Sequence, residues 1–142
     1  MKQVTEVSSG GIVFKKDGKQ TLWLITQHSE HKGWSFPKGI IGDEQKDESK
    51  QDAALREVRE EGGITEKIMN NDPVQTMYTY KNKKGELVNK TVYYFLMEYV
   101  SGDPKDHDWE VSEAKFITED EVKKMLTYQG DKQAFERLSR LI

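Results

Sequence analysis

The 142-residue chain contains no cysteine, which excludes disulfide bridges, thiolate metal sites and a cysteine nucleophile. It has only three prolines, and no apolar run approaches the length needed to cross a membrane. No long apolar stretch follows Met1, so no signal peptide is expected. The net charge of −3 is far from the strongly positive charge of a dedicated nucleic-acid-binding protein. These absences predict a cytoplasmic protein with no membrane partner and no stable nucleic-acid partner.

The remaining composition is that of a folded chain, with 35% hydrophobic residues grouped in clear runs. Its length fits one domain over residues 1–142. Predicted strands are Val4–Phe14, Thr21–Thr26, Gln75–Lys81, Lys90–Val100 and Val111–Ile117. Predicted helices are Glu48–Gly62, Glu119–Leu126 and Asp131–Leu141, with a loop over His28–Gly42. Strands on both sides of a helix predict an α/β fold in which helices pack on a mixed sheet.

A cluster of glutamates marks the first predicted helix. Glu57, Glu60 and Glu61 stand at helical spacings i, i+3 and i+4, so their carboxylates are expected to share one face. Carboxylates this close repel each other, and Mg²⁺ is a cation that takes carboxylate oxygens while keeping waters and substrate phosphates. Taken alone, the cluster also fits a solvent-exposed helix face on which Arg56 or Arg59 pairs with the glutamates.

The spacing around the cluster is far more specific than the cluster itself. The pattern is Gly42, five residues, Glu48, seven residues, Arg56-Glu57-Val58, one residue, Glu60-Glu61, one residue, Gly63-Ile64. At average residue frequencies it arises by chance about once in a billion start positions. The chain thereby resembles the Nudix hydrolases, whose signature box it matches at every position. The resemblance implies the Nudix fold, a mixed β-sheet sandwiched between helices, and hydrolysis of a phosphoanhydride bond with Mg²⁺, or with Mn²⁺ as a substitute.

Segments outside the box make the chain most similar to the bis(nucleosyl)-tetraphosphatases, the diadenosine tetraphosphate hydrolases. These segments are Trp34–Gly39, Lys90–Leu96, Trp109–Val111 and Tyr128–Lys132. The resemblance implies a small-molecule nucleotide substrate, cleaved asymmetrically from diadenosine tetraphosphate to ATP and AMP. The box is common to nucleoside triphosphate pyrophosphatases and RNA 5′-pyrophosphohydrolases, which stay as alternatives, as does a non-catalytic nucleotide sensor. We expect a monomer or a weak homodimer.

The same resemblance implies roles for the residues of the box. Glu57, Glu60 and Glu61 are expected to bind the metal, directly or through water, and Glu57 or a neighbouring carboxylate to accept a proton from the attacking water. Arg56 is expected to orient these carboxylates. Glu110 is the expected acid from outside the box.

Three positions are left with alternatives. The family uses a glycine backbone carbonyl as a metal ligand; Gly39 is favoured because it follows Phe36-Pro37-Lys38, and Gly42 is the alternative. The acid that opens the helix is either Glu48 or Glu44. Glu98 is the alternative to Glu110 as the acid from outside the box, and it also fits a solvent-facing strand residue.

Lys38 and Lys90 are candidates for binding the substrate phosphates, because magnesium alone does not balance the charge of adjacent phosphates. Ordinary surface lysines are the alternative. Tyr80 and Tyr128 are candidates for stacking on an adenine, since stacking on an aromatic ring contributes about 1–3 kcal/mol per base. Strand alternation places Tyr78 on the same face as Tyr80.

Two further features are given structural interpretations. Ser8-Ser9-Gly10-Gly11 lacks the ending of a phosphate-binding loop, so its glycines are expected to let the first strand pass close to the catalytic helix. His28, His31 and His107 have no paired spacing for zinc and are interpreted as loop residues.

Overall fold

The computed structural model describes residues 3–42 and 46–142. The described strands are β1 (Gln3–Asp17), β2 (Gln20–His28), β3 (Trp34–Ser35), β4 (Lys38–Ile40), β5 (Ile64–Ile68), β6 (Val74–Lys81), β7 (Leu87–Gly102) and β8 (Val111–Thr118). The described helices are α1 (Lys50–Gly62), α2 (Glu119–Met125) and α3 (Gln129–Ser139), with one 3-10 turn at Pro104–Asp106. Across these residues we find no helix with the length and apolar character needed to traverse a bilayer.

The sheet is mixed, and β1 lies at its centre. Along one edge β1 runs parallel to β7, with residues 3–14 beside residues 87–98. Along its other edge β1 pairs antiparallel first with β4 and then with β2. Strands β5 and β6 both pair with β7, and β8 and β3 pair with β2, all antiparallel. The expected mixed sheet is therefore confirmed.

Alternation along β1 sends apolar side chains to two separate cores. Ile12 and Phe14 pack in a cluster that includes Phe135 of α3 and Val122 of α2. Val13 packs in the cluster on the opposite face, which holds Ala54, Val58 and other α1 residues. Because helices cover both faces of the sheet, the architecture is the predicted sandwich.

The structure differs from the sequence prediction where strands are very short. The predicted loop over residues 28–42 contains β3 and β4, which hydrogen-bond to β2 and β1. Strand β5 was not predicted, because its five residues carry too short an alternation to stand out. Helix α1 begins at Lys50 and not at Glu48, since the Ser49 hydroxyl accepts from the Asp52 N–H at 3.0 Å and caps the helix.

Candidate active site

Helix α1 lies directly on β1 because β1 has glycine where the two meet. A Cβ added at Gly11 would lie 2.7 Å from Cγ2 of Val58, so any side chain would push the helix away. The helix ends at Gly63, whose φ of 72° is the left-handed conformation that glycine adopts freely. The prediction that a strand glycine allows close passage of the helix is confirmed for Gly11, while Gly10 lies against Pro37 and Lys38.

Two of the three predicted glutamates point inward from α1. Glu57 and Glu61 are buried, at 4% and 9% exposure, one helical turn apart. The side chain of Glu60 is 33% exposed and pairs with Arg56 at 3.2 Å. The expectation that all three carboxylates share one face is thus met by Glu57 and Glu61, while Glu60 turns toward Arg56.

Arg56 ties the carboxylates of this region together. Its Nε and Nη2 donate to the two oxygens of Glu48 at 2.7 and 2.9 Å, a bidentate pair. Its Nη1 donates to Glu57 Oε1 at 2.5 Å and to Glu60 Oε2 at 3.2 Å. These contacts suit the orienting role expected for Arg56, and they place Glu48 as the acid beside it. The alternative, Glu44, lies outside the described residues.

The two candidate glycines occupy different places. Gly39, on β4, packs so tightly against the carboxylate of Glu57 that any Cβ there would overlap its atoms. Gly42 instead donates its N–H to Glu48 Oε1 at 3.1 Å. Gly39 therefore lies against Glu57 and lines the cavity, whereas Gly42 contacts Glu48, and the choice of Gly39 as the metal-binding glycine stays a prediction.

Burial and neighbouring negative charges raise the pKa of both buried carboxyls, Glu57 and Glu61. Burial raises the pKa of Glu57 to about 7, although Arg56 opposes the rise, and the charges of Glu60 and Glu110 add to it. Burial likewise raises the pKa of Glu61 to about 8, against the charge and backbone N–H of Lys38, with the charges of Glu57 and Glu110 adding to it. A divalent cation at this place would relieve the repulsion.

The donor set fits Mg²⁺ by its chemistry. Glu57, Glu61 and Glu110 supply hard carboxylate oxygens, and Gly39 brings a backbone next to Glu57. Within residues 3–42 and 46–142, no three acidic or histidine side chains stand close enough together, as placed, to hold an ion. In these positions Arg56 holds Glu57, and the Lys38 N–H holds Glu61.

A single cavity of about 590 Å³ brings most of the predicted site residues together. Its walls come from strands β1, β2, β3, β4, β6, β7 and β8, from helix α1, from residues between β2 and β3, and from the residues just before β8 and α3. Of the predicted residues it is lined by Lys38, Gly39, Glu57, Glu61, Tyr80, Lys90, Glu110 and Tyr128. Arg56 and Glu60 are not among its lining residues, and neither is the rival acid Glu98, which pairs with Lys67 at 3.4 Å.

A carboxylate that the sequence did not single out contacts two residues of the cavity lining, Tyr80 and Lys90. Glu6 Oε1 accepts from both Lys90 Nζ at 3.1 Å and the Tyr80 hydroxyl at 2.9 Å. Burial by itself raises the pKa of Glu6. The hydrogen bonds from Tyr80 and Lys90 and the charge of Lys90 outweigh burial, so the pKa of Glu6 is lowered. Glu6 stands opposite Lys90 in the parallel register of β1 and β7, which the sequence does not reveal.

An aromatic group also lines the cavity without having been assigned to the site. The rings of His28 and His31 stack at 3.9 Å, and the Tyr128 hydroxyl lies 3.2 Å from His31 Nδ1. His28 is the last residue of β2, so its interpretation as a loop residue is wrong, and both histidines line the cavity. Tyr78 lies beside Tyr80, with ring centroids 6.1 Å apart, as alternation predicted.

The chain is similar to known proteins along nearly its whole length. The NUDIX domain model matches residues 4–138. The protein named "Putative mutator protein MutT4" from Mycobacterium tuberculosis (strain CDC 1551 / Oshkosh) is 30% identical over 148 residues. That match covers 100% of this chain and 58% of the relative, so this chain spans little more than half of its relative's length.

Two solved structures share the fold. The C. elegans Ap4A hydrolase in its binary complex has a TM-score of 0.75 at 22% identity, with 96% of each chain covered. The NUDIX domain of Shewanella oneidensis NrtR, complexed with ADP ribose, has a TM-score of 0.70 at 21% identity, covering 98% of this chain and 90% of that one. At these identities the likeness extends to the fold alone.

Proposed function

Because this chain belongs to the NUDIX domain family, we propose that it hydrolyses a phosphoanhydride bond in a nucleotide with the help of a divalent metal ion. The observation that carries the proposal is the pairing of opposite charges across one cavity. Buried Glu57 and Glu61 line this cavity together with Glu110, Lys38 and Lys90. Carboxylates for a metal and ammonium groups for phosphates are what phosphoryl chemistry requires.

The carboxylates supply the metal site and the proton acceptor. When bound, Mg²⁺ lowers the pKa of water and neutralises charge on the leaving phosphate. Glu57, Glu61 and Glu110 would hold it, together with the Gly39 backbone. Glu57 or a neighbouring carboxylate of this group takes the proton from the attacking water. Arg56 holds Glu57 in place for this task from outside the cavity.

On the substrate side, Lys38 and Lys90 bind phosphates, and the tyrosines bind a base. In the absence of substrate, Lys90 is balanced by Glu6 at 3.1 Å, so an incoming phosphate competes with this carboxylate. Tyr80 and Tyr128 line the cavity with exposed rings, at 37% and 41% exposure, so their faces are open to stacking.

We further propose that the substrate is diadenosine tetraphosphate, cleaved asymmetrically to ATP and AMP. The support is the resemblance of Trp34–Gly39, Lys90–Leu96, Trp109–Val111 and Tyr128–Lys132 to the bis(nucleosyl)-tetraphosphatases. Incubation with Mg²⁺ and diadenosine tetraphosphate, followed by chromatographic separation of the nucleotides, tests it. ATP and AMP in equal amounts are expected. Two ADP molecules, or no turnover, would refute this substrate.

A nucleoside triphosphate pyrophosphatase or an RNA 5′-pyrophosphohydrolase is the second candidate. What favours it is that the 30% identical relative bears the name of a mutator protein and not of a tetraphosphatase. Rates measured side by side on dATP, capped RNA and diadenosine tetraphosphate rank these activities. A nucleotide sensor without catalysis is disfavoured because Glu57, Glu60 and Glu61 are all retained. Tight nucleotide binding without hydrolysis in Mg²⁺ or Mn²⁺ would revive it.

Other properties stay predictions. They are a single domain over residues 1–142, a cytoplasmic location, the absence of a stable nucleic-acid partner, and a monomeric or weakly dimeric state. Comparison of rates in Mg²⁺, Mn²⁺ and EDTA tests the metal requirement, and light scattering coupled to gel filtration measures the oligomeric state.

A further inference from the structure

Asp131 is a buried carboxylate that the proposed metal site does not use. It lies in the first turn of α3 and is 6% exposed. Its Oδ1 accepts from the Tyr94 hydroxyl at 2.7 Å, and its Oδ2 accepts from the Ser35 hydroxyl at 2.6 Å. An anion is rarely buried to this degree unless hydrogen bonds or opposite charges offset the cost of its desolvation. Its contacts lead toward the cavity through Ser35.

The direction of each hydrogen bond follows from the number of protons. Ser35 has one hydroxyl proton and is itself 6% exposed. That proton goes to Asp131, because an ionised carboxylate only accepts. The Ser35 oxygen is then left as an acceptor, and the Lys38 ammonium donates to it at 3.1 Å. A chain of two directed hydrogen bonds thus connects the buried charge of Asp131 to the ammonium of Lys38.

The backbone on both sides of this chain is fixed. The Trp34 N–H donates to the Thr127 hydroxyl at 2.8 Å, and the Thr127 N–H donates to the Trp34 carbonyl at 3.1 Å. The Lys38 N–H in turn donates to Glu61 Oε1 at 3.2 Å. Lys38 is therefore attached by its backbone to a cavity carboxylate and by its side chain to α3.

We propose that Ser35 and Asp131 are positioning residues that hold the Lys38 ammonium in place for the phosphate chain of the substrate. The inference rests on the proposed function and deepens it. A lysine side chain has large rotamer freedom, and an anchored ammonium loses less entropy when it meets a phosphate. Asp131, one hydroxyl away, directs the Lys38 ammonium through Ser35 and is not itself among the residues that line the cavity.

A double-mutant cycle on binding of inorganic tripolyphosphate tests the proposal independently of hydrolysis. Wild type, Ser35→Ala, Lys38→Met and the double variant are titrated by calorimetry without metal. Ser35→Ala is expected to weaken binding on the order of tenfold, because Lys38 is no longer held. In the Lys38→Met background the same change is expected to have no effect. Equal binding by Ser35→Ala and wild type, additive losses, or no binding by wild type would overturn the proposal.

Kinetics on diadenosine tetraphosphate separate positioning from damage to the fold. Ser35→Ala is expected to raise KM on the order of tenfold and to change kcat by less than about twofold. Ser35→Thr keeps the hydroxyl, and its KM is expected to equal that of wild type. Tyr94→Phe is the matched control: it removes the other donor to Asp131 and the 3.4 Å contact between the Tyr94 and Ser35 hydroxyls, but leaves the bonds from Ser35 to Asp131 and from Lys38 to Ser35 intact. Its KM is expected to stay at the wild-type value. An equal rise of KM in Tyr94→Phe would mean that the effect is only structural.

The two proposals fail in different ways. If wild type hydrolyses none of the nucleotides tested but tripolyphosphate binding shows the predicted coupling, the proposed substrate fails and the role of Ser35 and Asp131 stands. If wild type hydrolyses nucleotides and Ser35→Ala matches it in KM, the positioning role fails and the hydrolase stands.

Discussion

Replacing Glu61 by glutamine separates the cost of its buried carboxylate from its use as a metal ligand. Burial raises the pKa of Glu61 from 4.5 to about 8, so in the metal-free folded protein it is largely protonated at pH 7. In the unfolded chain it is ionised at that pH. The pKa difference lowers the free energy of unfolding at pH 7 by about 3 kcal/mol, relative to acidic pH where both states are protonated.

Glutamine resembles the protonated carboxyl and removes this cost. Its carbonyl oxygen still accepts the Lys38 N–H that Glu61 accepts at 3.2 Å. Solvent relaxation and coupling to Glu57 reduce the full value, so we expect Glu61→Gln to raise the free energy of unfolding by about 1–3 kcal/mol at pH 7 in EDTA. The sign follows from a raised acid pKa: wild-type stability falls as the pH rises from about 4.5 toward 8, and the variant lacks that slope.

Urea denaturation in EDTA between pH 5 and pH 8 measures this difference, and the same titration in Mg²⁺ measures the opposite effect. With Mg²⁺ the wild type gains stability from binding the ion, whereas Glu61→Gln gains less, and its turnover falls more than about tenfold. Glu98→Gln is the control, since Glu98 is a strand carboxylate paired with Lys67 and outside the cavity lining. If Glu61→Gln is less stable than wild type in EDTA at pH 8, or keeps full turnover in Mg²⁺, the reasoning is wrong.

The parts of the site that depend on local spacing could be predicted from the sequence. Helix α1 was placed to within two residues, because its apolar side and its capping signals are local. The shared face of Glu57 and Glu61 follows from their i, i+4 spacing, whereas its burial was seen only in the structure. Spacing alone also placed Glu60 with them, whereas in the structure Glu60 pairs with Arg56 at 3.2 Å and does not line the cavity, a pairing that the sequence offered only as an alternative.

The parts that depend on contacts between distant strands could not be predicted. Glu6 meets Lys90 because β1 and β7 pair in one particular register, and a shift of one residue would send Glu6 to the other face. His31 meets Tyr128 across 97 residues of sequence. Residues 28–42 were predicted as a loop because β3 and β4 have two and three residues, too few for any alternation.

Three further changes test the electrostatics of the fold and of the cavity. Glu66→Gln is expected to raise the free energy of unfolding by about 1–2 kcal/mol at pH 8 and much less at pH 5, measured by urea denaturation, because burial raises the pKa of Glu66 to about 7 and its charged form destabilises the folded state. Glu110→Gln is expected to lower turnover in Mg²⁺ by more than about fivefold with little change in melting temperature, because the Glu110 charge acts on both buried carboxylates. Acidification is expected to raise KM through protonation of His31. The His31 Nδ1 accepts from the Gly33 N–H, so this nitrogen is unprotonated, and it lies 3.2 Å from the Tyr128 hydroxyl. Burial and the charges of His28 and Lys38 lower the pKa of His31 below 6.5, although the charge of Glu30 opposes them. The rise in KM therefore sets in below pH 6.5, where the Nδ1 of the protonated ring donates a hydrogen bond and no longer accepts one. His31→Gln keeps an acceptor that does not titrate, and a KM profile between pH 5 and pH 8 identical to that of wild type would contradict the role of His31 in holding Tyr128.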